Sequence, residues 1–177
     1  MDKNNMSIYR ILPLLSITIL TLNANIIDRT VLSLGGGQIS VGNENYGSGG
    51  MSVFLASHLQ NNLYLGAEID GEIFNGSDQS VNMDSGLDVL VNLSPLIGYR
   101  IGESLYLYAK GGYTFGTIGG GEQSVSGMRW GGMAQYDLNE KWILSASYMR
   151  GDVSVDYVGG TRDETLTSVM LNLGMRF

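Results

Sequence analysis

The chain has 177 residues, a formal net charge of −7, 26 glycines, 2 prolines and no cysteine. That length suits one domain, and without cysteine there is neither a disulfide framework nor a thiolate metal site. Charged residues make up only 15%, against about 25% in a soluble domain. No basic cluster is present, which excludes a phosphate-gripping nucleic-acid surface.

Residues 1–24 read as an export signal. Lys3 and Arg10 give a weakly basic start, residues 11–22 (ILPLLSITILTL) are mostly apolar, and Leu22-Asn23-Ala24 puts a small residue at the cleavage position. The apolar run is too short for a spanning helix, which needs ~20 residues. No other stretch is long and apolar enough, so membrane residence would have to come through strands. Residues 25–177 form the single remaining domain.

Past the signal the pattern is strand after strand. Residues 30–41 (TVLSLGGGQISV) are a first strand with ambiguous faces: Leu32 and Leu34 favour one parity, Ile39 and Val41 the other, with a bulge expected at Gly35 to Gly37. Residues 42–47 (GNENYG) read as a loop. In residues 48–60, Met51, Val53, Leu55 and Leu59 oppose Ser52, Phe54, Ala56 and His58, and Asn61-Asn62 turns the chain. Residues 63–74 alternate cleanly, with Leu63, Leu65, Ala67, Ile69 and Ile73 against Tyr64, Gly66, Glu68, Asp70 and Glu72.

A polar loop spans 75–86. Residues 87–100 put Val89, Val91, Leu93, Ile97 and Tyr99 on one face and Asp88, Asn92, Ser94, Gly98 and Arg100 on the other. Pro95 inside this strand predicts a lost ladder bond or a bulge. Residues 101–104 turn, 105–116 form a strand, and 117–124 (TIGGGEQS) form a loop. No lysine follows those glycines, so no phosphate loop is expected. Strands over 125–137 and 141–150 flank a turn at 138–140, a loop covers 152–163, and 164–177 (ETLTSVMLNLGMRF) is the last strand. There Thr167, Val169, Leu171, Leu173, Met175 and Phe177 form one face; Ser168, Asn172, Gly174 and Arg176 stand on the other.

The expected fold is all-β, an eight-stranded antiparallel up-and-down transmembrane barrel. Strands of roughly ten residues cross a bilayer at a tilt near 45°. With the N-terminus in the periplasm, the longer loops fall outside and the short turns inside. The outward aromatics sort into two belts: Tyr99, Tyr136, Trp142 and Phe177 towards the periplasm, and Tyr113, Phe115, Trp130 and Tyr148 towards the outside. The fit is loose, since the six residues from Trp142 to Tyr148 give roughly 15 Å of height against an apolar band of ~25 Å.

The segments LIGYRIGESLYLYAKGGYTFG (96–116), GGMAQYDLNEKW (131–142) and LNLGMRF (171–177) resemble the small eight-stranded outer-membrane barrels, the OmpA transmembrane-domain-like and opacity-like group. The resemblance implies residence in the cell outer membrane and insertion by the barrel assembly machinery, with Phe177 as the terminal aromatic of the assembly signal. It also implies a monomer in contact with outer-membrane lipids and lipopolysaccharide. The chain ends with the barrel, so the cell-wall-binding domain that follows it in full-length OmpA is not carried over.

Inward positions collect charge. Glu68, Asp70, Glu72 and Asp88 face Arg100, Lys110, Arg129 and Arg176, four acids against four bases. In a narrow lumen such groups are tolerated when paired, which suggests Lys110 with Glu68 or Asp70, and Arg129 with Glu72. OmpA-like barrels carry a comparable cluster proposed as a gate. The expected role is structural or surface-interacting, with an interior plugged by side chains. The alternative is a narrow low-conductance porin, and beyond it a lipid A-modifying enzyme. An enzyme would need a nucleophile and base near the outer leaflet, whereas His58, the only histidine, belongs near the periplasmic end, with Ser57 on the opposite face. Asp78, Asp84, Asp152, Asp156 and Asp163 read as solvated loop charge without metal-ligand spacing. Neither metal nor cofactor is expected.

Overall fold

The computed structural model describes residues 27–74, 87–119, 122–157 and 159–177. They form β1 (Arg29–Val41), β2 (Glu44–Gln60), β3 (Leu63–Phe74), β4 (Asp88–Ile101), β5 (Leu105–Ile118), β6 (Gln123–Asp137), β7 (Trp142–Tyr157) and β8 (Gly160–Arg176). Each strand pairs antiparallel with the next and β8 returns to β1, closing the barrel. At the seam Leu32 lies opposite Met175 and Leu34 opposite Leu173, and the Phe177 amide donates to the Thr30 carbonyl at 3.0 Å. The export segment expected at 1–24 and the loop at 75–86, with Asp78 and Asp84, lie outside the described residues.

Closure follows from the alternation. Because side chains switch faces at every residue, one register turns all the outward apolar positions to a common wall. Leu34, Met51, Ile69, Ile97, Leu171 and Phe177 are exposed there, while Ser33, Ser52, Glu68, Asn92, Thr114 and Arg129 are buried inside. We call the end holding Arg29 and Phe177 the terminal end, and the opposite one the distal end.

Several sequence expectations need correction. The first strand has no bulge at Gly35 to Gly37: pairing runs unbroken with both β2 and β8. Leu32 and Leu34 face out, and Ile39 is buried inside. Strand takes up most of the segments read as loops at 42–47 and 152–163 and half of 117–124, so strands run from 12 to 17 residues rather than about ten. The distal connection from β1 to β2 is only Gly42-Asn43, as tight as Asn61-Asn62 at the terminal end. Loop length therefore does not sort the two ends as expected. What differs is how far the strands run on distally.

The distal extensions look like loops in sequence because their face polarity inverts. Along β7, the outward series Trp142, Leu144, Ala146 and Tyr148 gives way to Arg150, Asp152, Ser154 and Asp156. The inward residues change from Ser145 to Val153 and Val155, which are fully buried. With Ile39, Phe74, Leu90, Ile118, Val125 and Leu166 they form a distal apolar cluster. This part of the barrel has the polarity of a water-soluble one, oily inside and wet outside.

Pro95 faces outward and interrupts one ladder. Pairing of β4 with β5 goes from Leu93–Tyr113 to Leu96–Lys110, skipping Ser94 and Pro95 without a register change. The pairing shift between His58 and Gln60 is the one irregularity in the β2–β3 ladder. It stands beside a turn in which Asn61 (φ 51°) and Asn62 (φ 66°) both adopt left-handed conformations, as a two-residue hairpin requires. Asn62→Val should cost about 1–2 kcal/mol, read as a lower urea midpoint for the barrel in micelles. An unchanged midpoint would show that the turn does not set this hairpin.

Candidate functional site

The lumen is filled in three levels. Nearest the terminal end, Val31, Phe54, Tyr64, Leu96, Tyr106, Tyr108 and Ile143 belong to one buried cluster. Phe54 meets Tyr108 edge-on at 5.1 Å, and Tyr106 stacks on Tyr108 at 6.4 Å. Room for these rings comes from Gly98, where a Cβ would fall within the Tyr108 ring. The distal apolar cluster lies towards the opposite end, beside a space of about 780 Å³ bordered by Val41, Phe74, Asp88 and Ile118, and the charged level lies between the two clusters.

Inward positions of β3, β4, β5, β6 and β8 build that middle level. The Lys110 Nζ donates to Glu68 Oε2 at 2.7 Å and lies 3.9 Å from Asp70 Oδ2. Arg129 donates from Nη1 to Asn92 Oδ1 at 3.0 Å and Glu72 Oε1 at 3.3 Å, and from Nη2 to Ser168. Ser168 in turn donates to Glu72 Oε1 at 3.1 Å. Asn92 ties the groups together, giving Nδ2 to Asp70 at 2.6 Å and Glu72 at 3.2 Å, and accepting from Thr114. Three carboxylates thus meet two cations, all inside the wall. Asp70 Oδ2 and Glu72 Oε2 have no hydrogen bond among the described residues. Beside them is a cavity of about 20 Å³ bordered by Gly50, Ser52, Met170 and Asn172, room for about one water molecule.

The eight expected inward charges therefore do not form one network. Glu68, Asp70, Glu72, Lys110 and Arg129 come together. Asp88 is buried two residues from Leu90 of the distal cluster, on the same face of β4. Arg176 sits at the terminal end, donating to Asp137 at 2.9 Å and to the Glu140 carbonyl at 2.9 Å. Arg29 grips the same Asp137 carboxylate with both Nη atoms, at 2.7 and 3.0 Å, and lies 3.7 Å over the Tyr106 ring. Arg100 stands opposite Tyr106 and hydrogen-bonds its side chain. The sequence pattern missed Arg29 and Asp137, which fall at strand ends where face assignment fades. It also missed the part played by Asn92, Thr114 and Ser168, whose inward parity was the only available signal.

The eight belt aromatics all project from the outer wall. Tyr99, Tyr136, Trp142 and Phe177 are exposed near the terminal end; Phe115, Trp130 and Tyr148 are exposed farther along, and Tyr113 is half-buried. His58 is exposed beside the β2–β3 turn, its ring 5.2 Å from Tyr64. Gly119 turns β5 towards β6 with φ 66°. Among the described residues no group of three or more side chains converges as a metal site.

An antiparallel barrel that is apolar outside along its terminal half and polar at its centre is a membrane-spanning architecture. The chain belongs to the outer membrane protein β-barrel domain family, which it matches over residues 14–177. Its fold is similar to that of Ail, the attachment invasion locus protein of Yersinia pestis, solved with the heparin analogue sucrose octasulfate. That likeness has a TM-score of 0.59 at 17% identity over 84% of this chain and 98% of Ail. Neisserial surface protein A shares the fold at a TM-score of 0.55 and 11% identity, over 84% of this chain and 96% of that protein. No curated protein sequence matches the chain.

Proposed function

We propose that this outer-membrane barrel serves a structural and surface-interaction role, with its distal end outside the cell and its lumen closed to solutes. The carrying observation is the filling of the interior at its terminal and middle levels. Two apolar clusters bracket a hydrogen-bonded charged level where the cavity beside Asp70 and Glu72 is about 20 Å³, far less than a solute path needs, while a larger space of about 780 Å³ lies at the distal end, bordered by Val41, Phe74, Asp88 and Ile118. The aromatic wall residues would sit at the two membrane interfaces, where such rings are favoured. Outer-membrane lipids and lipopolysaccharide are the partners of the wall, and the barrel assembly machinery inserts it as a monomer.

Ail was solved with a polyanion, but the same class of ligand is not favoured here. The described distal extensions and turns carry Glu44, Glu122, Asp152, Asp156, Asp163 and Glu164, against Arg150 and Arg162. Like charge would repel a sulfated chain. Planar bilayer recording on the purified barrel should remain silent. Reproducible single-channel steps would contradict the closed lumen and favour a narrow pore.

A further inference from the structure

We propose that Arg150 binds a phosphate of the phosphorylated glycolipid in the outer leaflet, a site that rests on the orientation given above. Among the described cations, five occupy inward strand positions, namely Arg29, Arg100, Lys110, Arg129 and Arg176. Lys141 lies in the turn between β6 and β7, and Arg162 pairs with Glu164 at 2.8 Å near the distal tip. Arg150 alone projects from the outer wall. It is exposed, and its guanidinium makes no hydrogen bond or ion pair with the described residues. The nearest acid along its face, Asp152, instead accepts from Thr165 Oγ1 at 3.0 Å.

Its place on the wall identifies the ligand. Arg150 is the first polar residue after the outward apolar series of β7, and it pairs with Trp130 on β6 and Thr167 on β8. Thr167 likewise follows Val169, Leu171, Leu173 and Met175 on the outward face of β8. Both strands thus change from oily to wet at this level. Eight residues separate Arg150 from Trp142, roughly 20 Å of height for a tilted strand, near the upper limit of a ~25 Å apolar band. A cation here meets headgroups rather than acyl chains. Its fork of donors matches two phosphate oxygens, and Thr167 offers a hydroxyl alongside. Trp130, 66% exposed, gives the sugar and upper acyl chains a flat surface.

Native mass spectrometry of the intact barrel in micelles tests the site, with bisphosphorylated lipid A and the same lipid A lacking both phosphates as probes. The wild-type barrel should retain the phosphorylated form at roughly tenfold lower concentration than the other, the value of one charge-assisted hydrogen-bonded contact. Arg150→Gln should abolish that preference while keeping heat-modifiable migration, and Arg150→Lys should keep part of it. Equal retention by wild type and Arg150→Gln would overturn the proposal. So would displacement by millimolar inorganic phosphate, which would assign the site to the free anion. Labelling of Asp156→Cys on intact cells checks the orientation independently, so a labelled cysteine with a failed lipid preference refutes only the phosphate site.

Discussion

Lys110→Met should destabilise the barrel by about 3–5 kcal/mol, measured by urea unfolding in micelles. Lys110 and Glu68 are both nearly inaccessible and joined at 2.7 Å. Without the ammonium, Glu68 is left buried without its partner, with Asp70 and Glu72 on the same face of β3. Little water can reach it to compensate: the adjoining cavity has room for about one molecule, and apolar clusters lie on both sides. The pair itself need not be stabilising, since desolvation offsets much of its attraction. The double variant Lys110→Met with Glu68→Met should therefore recover most of the loss. If the double variant is as unstable as the single one, the stranded carboxyl group is not the cause.

Phe54→Ala should cost about 3–5 kcal/mol. Phe54 is 1% exposed and packs edge-on against Tyr108 in the terminal cluster. Truncation opens a cavity that closed, hydrogen-bonded strands cannot collapse to fill. Phe115→Ala provides the contrast: Phe115 is 42% exposed on the outer wall, where lipid or detergent fills the vacated space. The loss there should be clearly smaller. Equal losses would mean that the terminal cluster is not a packed plug.

The strand count, the closing seam and most facing directions were legible in the sequence because a period of two survives in residues such as Leu63 to Ile73 and Thr167 to Met175. The distal extensions were not. Val153 and Val155 alternate as regularly as Leu171 and Leu173, but their partners Asp152, Ser154 and Asp156 made the segment look like solvated loop. The pattern was present with its faces exchanged, as Ile39 was on the first strand. That exchange explains the ambiguity there better than a bulge. In the interior, charge sign and parity suggested Lys110 with Glu68 or Asp70, and Arg129 with Glu72. Asn92 needed register, since only the pairings Asp70–Asn92 and Asn92–Thr114 bring its amide between β3 and β5. Arg29 was hidden because its partner Asp137 lies 108 residues away.

In the proposed orientation, the barrel exchanges its faces where it leaves the membrane and displays the β7–β8 hairpin outside. The chain contains no cysteine, so single-cysteine variants labelled on intact cells with a membrane-impermeant maleimide test it directly. Cysteine at Ser154 or Asp156 should label, while cysteine at Val153 or Val155, inside the distal cluster, and at Leu144 or Leu171, on the lipid-facing wall, should not. Labelling at 153 and 155 with protection at 154 and 156, or labelling at 144 and 171, would contradict the account.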